Sequence, residues 1–212
     1  MRANVVVPVA VAAGAIIAIG AAIVSDLAGV RMGVLTRDIH SLSASGGLDL
    51  PHYAGSLSIL AIMVWTAGSA LTFTAAALVR ERRAWLLVLG GLLLAIAADD
   101  AFMLHEGLGL PEIGFVLVYG AVAGGLAFRS LVHRHDGSAV AILVGGSALA
   151  LSAAFDLWVT DPYLFEDHFK LIGALVLMTI GPTMIAQVLG TRCADPVTAA
   201  RDAREPRSEV LV

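Results

Sequence analysis

The chain has 212 residues, 58% of them hydrophobic and 14% charged, with 22 glycines and a mean hydropathy of +0.88. These values exclude an ordinary soluble domain, a disordered chain and a solenoid, and they place the protein in a membrane. A single cysteine, Cys193, excludes an internal disulfide, and a formal charge of −4 leaves no basic surface for nucleic acid.

In chain order, apolar stretches near 5–24, 56–79, 84–105, 113–132, 138–160 and 168–189 are each about long enough to cross a ~30 Å hydrocarbon core as a helix. They predict an all-α, polytopic bundle of six spans in one domain over residues 1–190, with the lipid bilayer as its immediate partner. The first stretch follows Arg2 and imitates a signal peptide, but its run of roughly twenty residues exceeds an h-region of about 7–15, so it reads as a retained helix. Residues 25–54 form the longest loop; LSASGGLDLPHY within it argues against another span and suggests a cap over the outer mouth. Gly120, Gly124 and Gly125, together with Gly90, Gly91, Gly145 and Gly146, predict close helix packing. The tail 191–212 is polar and receives no fold.

Lys and Arg set the orientation, because cytoplasmic loops near a membrane retain them. With the amino terminus inside, ten fall on the cytoplasmic side and only Arg31, Arg37 and Lys170 outside. Both termini are therefore expected in the cytoplasm, and the short outer loops suit a bacterial plasma membrane. Acidic residues show the opposite bias, eleven outside against six inside. His40, His52, His105 and His168 also lie outside, so the outer mouth reads as acidic, histidine-bearing and attractive to cations.

The third span ends in AIAADDAFMLHEGLGLPE, which puts Asp99 roughly 10 Å from a helix end near Glu106. A carboxylate at that depth is costly unless protonated, paired, metal-bound or facing water, so Asp99 should point into the bundle. Helical spacing gives Asp99, Met103 and Glu106 one face, sets His105 beside it, and turns Asp100 elsewhere. Asp156 in SAAFDLWVTDPY has a similar depth, and FEDHFKLIG opens the sixth span with Glu166, Asp167, His168 and Lys170.

If these ends converge, Asp99, Glu106 and Asp156 are the candidate catalytic carboxylates. His105, His168, Glu106 and Glu166 are then the candidate ligands of a divalent metal such as zinc or iron. Lys170, the only lysine, fits a counter-ion to Asp99 or Asp156. In FEDHFKLIG, Glu166 and Lys170 also suit a local i, i+4 pair, with Glu166 or Asp167 capping the first turn. Asp26 ends the first span as a further vestibule candidate or a solvated helix end.

The acidic pair followed by LHE, the aspartate of SAAFDLW and the FEDHFKLIG opening together resemble a pattern in uncharacterised bacterial multi-pass membrane proteins. The grouping of aspartate, serine and histidine at one mouth of a bundle is similar to the ceramidase and adiponectin-receptor superfamily of intramembrane zinc hydrolases. Those enzymes carry a histidine pair in the final helix, where this chain has His168. That likeness implies metal-dependent hydrolysis of a lipid or amphiphile at the outer leaflet. Two alternatives stay open: a cation or proton translocator with an inner gate at Ser69, Thr72, Thr74 and Thr179, and a non-catalytic assembly subunit that binds a second copy or a membrane partner.

Overall fold

The computed structural model describes residues 3–30, 32–36, 54–104, 112–133, 136–158 and 165–190. Among them the elements are all helical: α1 (Ala3–Leu27), α2 (Met32–Thr36), α3 (Ser56–Leu78), a 3-10 turn (Arg80–Arg82), α4 (Arg83–Phe102), α5 (Glu112–Val132), α6 (Asp136–Trp158) and α7 (Glu166–Met178). Six helices are long and apolar enough to cross a membrane: Val5–Leu27, Ser56–Leu78, Arg80–Phe102, Ile113–Val132, Gly137–Phe155 and Glu166–Gly190. The short α2 interrupts the expected loop and packs against α1 and α3, where the Gly55 N–H donates to the Val34 carbonyl at 2.8 Å. Residues 37–53, with the rest of the expected cap, and the tail 191–212 with Cys193 lie outside the described residues.

The sixth span is broken at Thr179, where α7 ends before the helix resumes over 180–190. Pro182 explains the break, because its ring lacks an N–H and crowds the carbonyl four residues earlier, that of Met178. Two hydroxyls bond backbone carbonyls beside the break: Thr179 Oγ1 donates to the Val176 carbonyl at 2.6 Å and Thr183 Oγ1 to the Thr179 carbonyl at 2.7 Å.

This span is the hub of the bundle, packed against α1, α3 and α6, while α3 and α4 form a tight antiparallel pair and α5 bridges α4 and α6. In lipid, helices associate through close packing rather than through an apolar driving force, and glycine permits that closeness. A Cβ on Gly173 would stand 3.0 Å from the Gly145 carbonyl oxygen, one on Gly181 2.8 Å from the Leu71 carbonyl carbon, and one on Gly14 2.7 Å from Ile172. Gly90 is similarly pressed against the Phe73 ring.

The expectation for the other glycines is corrected: among the described residues, no other element comes within 4 Å of a Cβ added at Gly91, Gly120, Gly124, Gly125 or Gly146. They lie on faces turned away from the bundle. On α5 that face also carries Leu117, Val118 and Phe128, exposed where lipid covers a membrane helix, while Leu126, Ala127 and Ser130 form its buried stripe. Trp65, Leu86, Leu89, Leu93, Leu171 and Val176 fill the centre.

Candidate functional site

Chain direction alone brings the carboxyl ends of α4 and α6 and the amino ends of α5 and α7 to one face of the bundle. Phe155 of α6 stacks on Phe165 and Phe169 at centroid distances of 5.1 and 5.6 Å, which fastens the end of α6 to the start of α7. Across from them α4 ends earlier than its composition suggests. Met103 takes φ 48°, a left-handed conformation, and its N–H donates to the Asp99 carbonyl, closing the helix at Phe102.

Two expectations change with that stop. Asp99 and Asp100 sit in the last turn of α4, within about 5 Å of its end rather than 10 Å. The helical face expected to join Asp99, Met103 and Glu106 is also broken at Met103, so helical phase no longer relates Asp99 to Glu106. His105 and Glu106 themselves lie outside the described residues.

At the start of α7 the ammonium of Lys170 stands 3.2 Å from Asp100 Oδ1, 3.4 Å from Glu166 Oε1 and 3.9 Å from Asp167 Oδ1. Glu166 lies one turn N-terminal to Lys170, the favourable polarity for an i, i+4 pair, and Glu166 and Asp167 occupy the first turn, where the helix dipole welcomes negative charge. The Asp99 half of the counter-ion expectation is thereby corrected: the α4 partner of Lys170 is Asp100, the residue expected to point elsewhere, while the Asp156 side chain lies outside the described part. Successive helical residues diverge by about 100°. Asp100 therefore faces α7, while Asp99, 8% exposed, accepts a hydrogen bond from the Tyr119 hydroxyl of α5.

The remaining candidates separate in space. Glu166 and His168 are two positions apart on α7 and point to nearly opposite sides, with His168 buried and Glu166 beside Lys170. Among the described residues no group of three or more His, Cys, Asp or Glu could hold a metal ion. Asp156 occupies the last turn of α6, and its side chain is outside the described part. Asp26 is exposed at the end of α1.

At the expected inner gate the hydroxyls turn to backbone carbonyls. Ser69 Oγ donates to the Gly90 carbonyl, Thr72 Oγ1 to Gly68 and Thr179 Oγ1 to Val176, while Thr74 bonds to Ala70 on an exposed face. These hydroxyls satisfy backbone carbonyls. Sequence reasoning missed Tyr119. Its signal was depth: it lies six residues inside the span that starts at Ile113, about 9 Å, where a phenol can meet the end of a neighbouring helix.

Residues 5–181 match a family described as a domain of unknown function, DUF8692. The chain belongs to that family. The match spans α1 to α7, so the ion cluster and Tyr119 fall inside the DUF8692 domain. No curated protein and no solved structure matches the chain.

Proposed function

We propose that this DUF8692 protein binds a cation at one face of the membrane, in the carboxylate cluster organised by Lys170. The observation that carries this reading is the charge imbalance at the ends of α4 and α7. Asp99, Asp100, Glu166 and Asp167 gather there against one lysine, three of them within 4.0 Å of its nitrogen. Ionisable groups within membrane spans pair with one another or mark ligand pathways, and one ammonium balances one of the four charges. Leu86, Leu89, Leu93, Leu171 and Val176 fill the bundle beneath. This favours binding at one face over passage across.

From the ten-to-three division of Lys and Arg, we assign the cluster to the outer side of a bacterial plasma membrane with both termini in the cytoplasm. Reporter fusions at each terminus check that orientation. A hydrolase of lipid or amphiphile would need more than the described donors, since Glu166 is held by Lys170 and His168 faces away from it. His105 and Glu106 would have to complete a zinc or iron shell.

The test is a thermal-unfolding titration of the detergent-purified protein at low ionic strength with sodium, magnesium, calcium, zinc, ferrous iron and a short alkylammonium. We expect at least one cation to raise the midpoint saturably, at least tenfold more weakly in Asp99→Asn or Glu166→Gln. No saturable shift with any cation refutes the reading and leaves the cluster as a structural or assembly feature. Stoichiometric zinc or iron that disappears in His105→Ala favours the hydrolase instead.

A further inference from the structure

The polar cluster has a neighbour deeper in the bundle. Trp65 of α3 is 0% exposed, and its indole N–H finds no acceptor among the described residues. Asp100 uses Oδ1 for Lys170, while its Oδ2 is also buried and finds no donor there. A lone donor and a lone acceptor in a membrane interior are complementary. Each is costly by itself, because no lipid or bulk water can satisfy it.

Helix register brings the two toward each other. Gly90, Leu93, Ala97 and Asp100 follow one another at three- and four-residue steps and form a single stripe of α4, just as Ser69, Trp65 and Ala61 form one of α3. The stripes face each other, since Ser69 Oγ donates to the Gly90 carbonyl at 2.8 Å. From that bond Trp65 lies one turn, about 6 Å, toward the polar end, and Asp100 lies ten residues, about 15 Å, in the same direction.

The Cα atoms are thus separated by roughly 9 Å along the bundle. Helical side chains lean toward their own amino terminus. The antiparallel pairing therefore tilts the indole outward and the carboxylate inward, each toward the other. Ala61 and Ala97, one turn from Trp65 and Asp100 on the same stripes, are both buried and small.

We infer that one ordered water is held between Trp65 Nε1 and Asp100 Oδ2, accepting from the indole and donating to the carboxylate. The ion cluster thereby gains a foot inside the bundle below Lys170. This site does not depend on cation binding at the cluster above it.

The test is ultraviolet resonance Raman spectroscopy of the full-length protein in detergent, with Trp65→Phe subtracted to isolate the Trp65 signal. It is paired with infrared difference spectra in ordinary and oxygen-18 water. We expect a hydrogen-bonded indole N–H, a shift to the unbonded position in Asp100→Leu, and an oxygen-18-sensitive O–H band that Trp65→Phe removes. An unbonded indole in the native protein overturns the inference. So does a bonded one indifferent to Asp100→Leu. Should that variant fail to fold, the native spectra decide: a bonded indole without the isotope-sensitive band means a direct protein partner and refutes the water.

Discussion

Replacing Gly181 by alanine puts a methyl group into the contact between α3 and the helix of residues 180–190. The new Cβ would stand 2.8 Å from the Leu71 carbonyl carbon and 2.9 Å from both the Leu71 oxygen and the Thr72 nitrogen. All three are backbone atoms of a regular helix, so no rotamer change relieves the overlap and the two helices must separate. Overpacking of this kind costs about 1–3 kcal/mol, and the upper end applies where the obstacle is backbone. Alanine returns about 1 kcal/mol of helix propensity, which leaves a net loss of about 2 kcal/mol.

Gly124→Ala is the matched control, because nothing among the described residues lies within 4 Å of its added Cβ and only the propensity gain of about 0.5–1 kcal/mol remains. Reversible unfolding by sodium dodecyl sulfate in mixed micelles, followed by helical circular dichroism, measures both. Opposite signs are expected. Gly181→Ala at or above native stability refutes the assigned contact. A Gly124→Ala variant as damaged as Gly181→Ala shows that another chain covers that face of α5.

Lys170→Met leaves Asp100, Glu166 and Asp167 without their shared cation and is expected to cost about 3 kcal/mol, the lower end for breaking a buried pair because the side chains keep some solvent contact. The double variant Lys170→Met/Asp100→Leu should recover part of that loss in the same titration, and strictly additive losses would show that the two do not interact. Met103→Gly relieves a left-handed residue that costs about 1–2 kcal/mol, partly offset by a more flexible unfolded chain, so a net gain of about 0.5 kcal/mol is expected. A loss there would mean that the Met103 side chain holds more than its backbone strain releases. Tyr119→Phe removes the hydroxyl that Asp99 accepts and should cost about 1–2 kcal/mol; no loss would refute that hydrogen bond.

The spans were legible because their signal is local. About twenty consecutive apolar residues suffice to mark a crossing helix, and the arginines flanking them need no knowledge of neighbours. The end of α4 was not legible. AADDAFMLHE continues in helical residue types through Glu106, and the chain turns at Met103, a residue with no intrinsic preference for φ 48°. Glycine faces misled for a related reason. YGAVAGGLAF and LVGGSA announce that close approach is permitted, while which helix approaches is a tertiary fact; Gly145 meets Gly173, and Gly120, Gly124 and Gly125 meet no other helix among the described residues.

The site divides along the same line. Glu166 and Lys170 are one turn apart, so their pair follows from helical spacing, but the choice between Asp99 and Asp100 depends on the rotation of α4 relative to α7. An error of one residue, about 100°, exchanges their roles. What sequence does carry across helices is depth. Asp100 in the last turn of α4, Tyr119 about 9 Å inside α5 and Lys170 about 6 Å inside α7 are polar groups with reach, held at nearly one level by membrane thickness. Lipid cannot satisfy such groups, so those at a common level turn toward one another. Depth thus nominates the members of the cluster, and helix rotation assigns the partners within it.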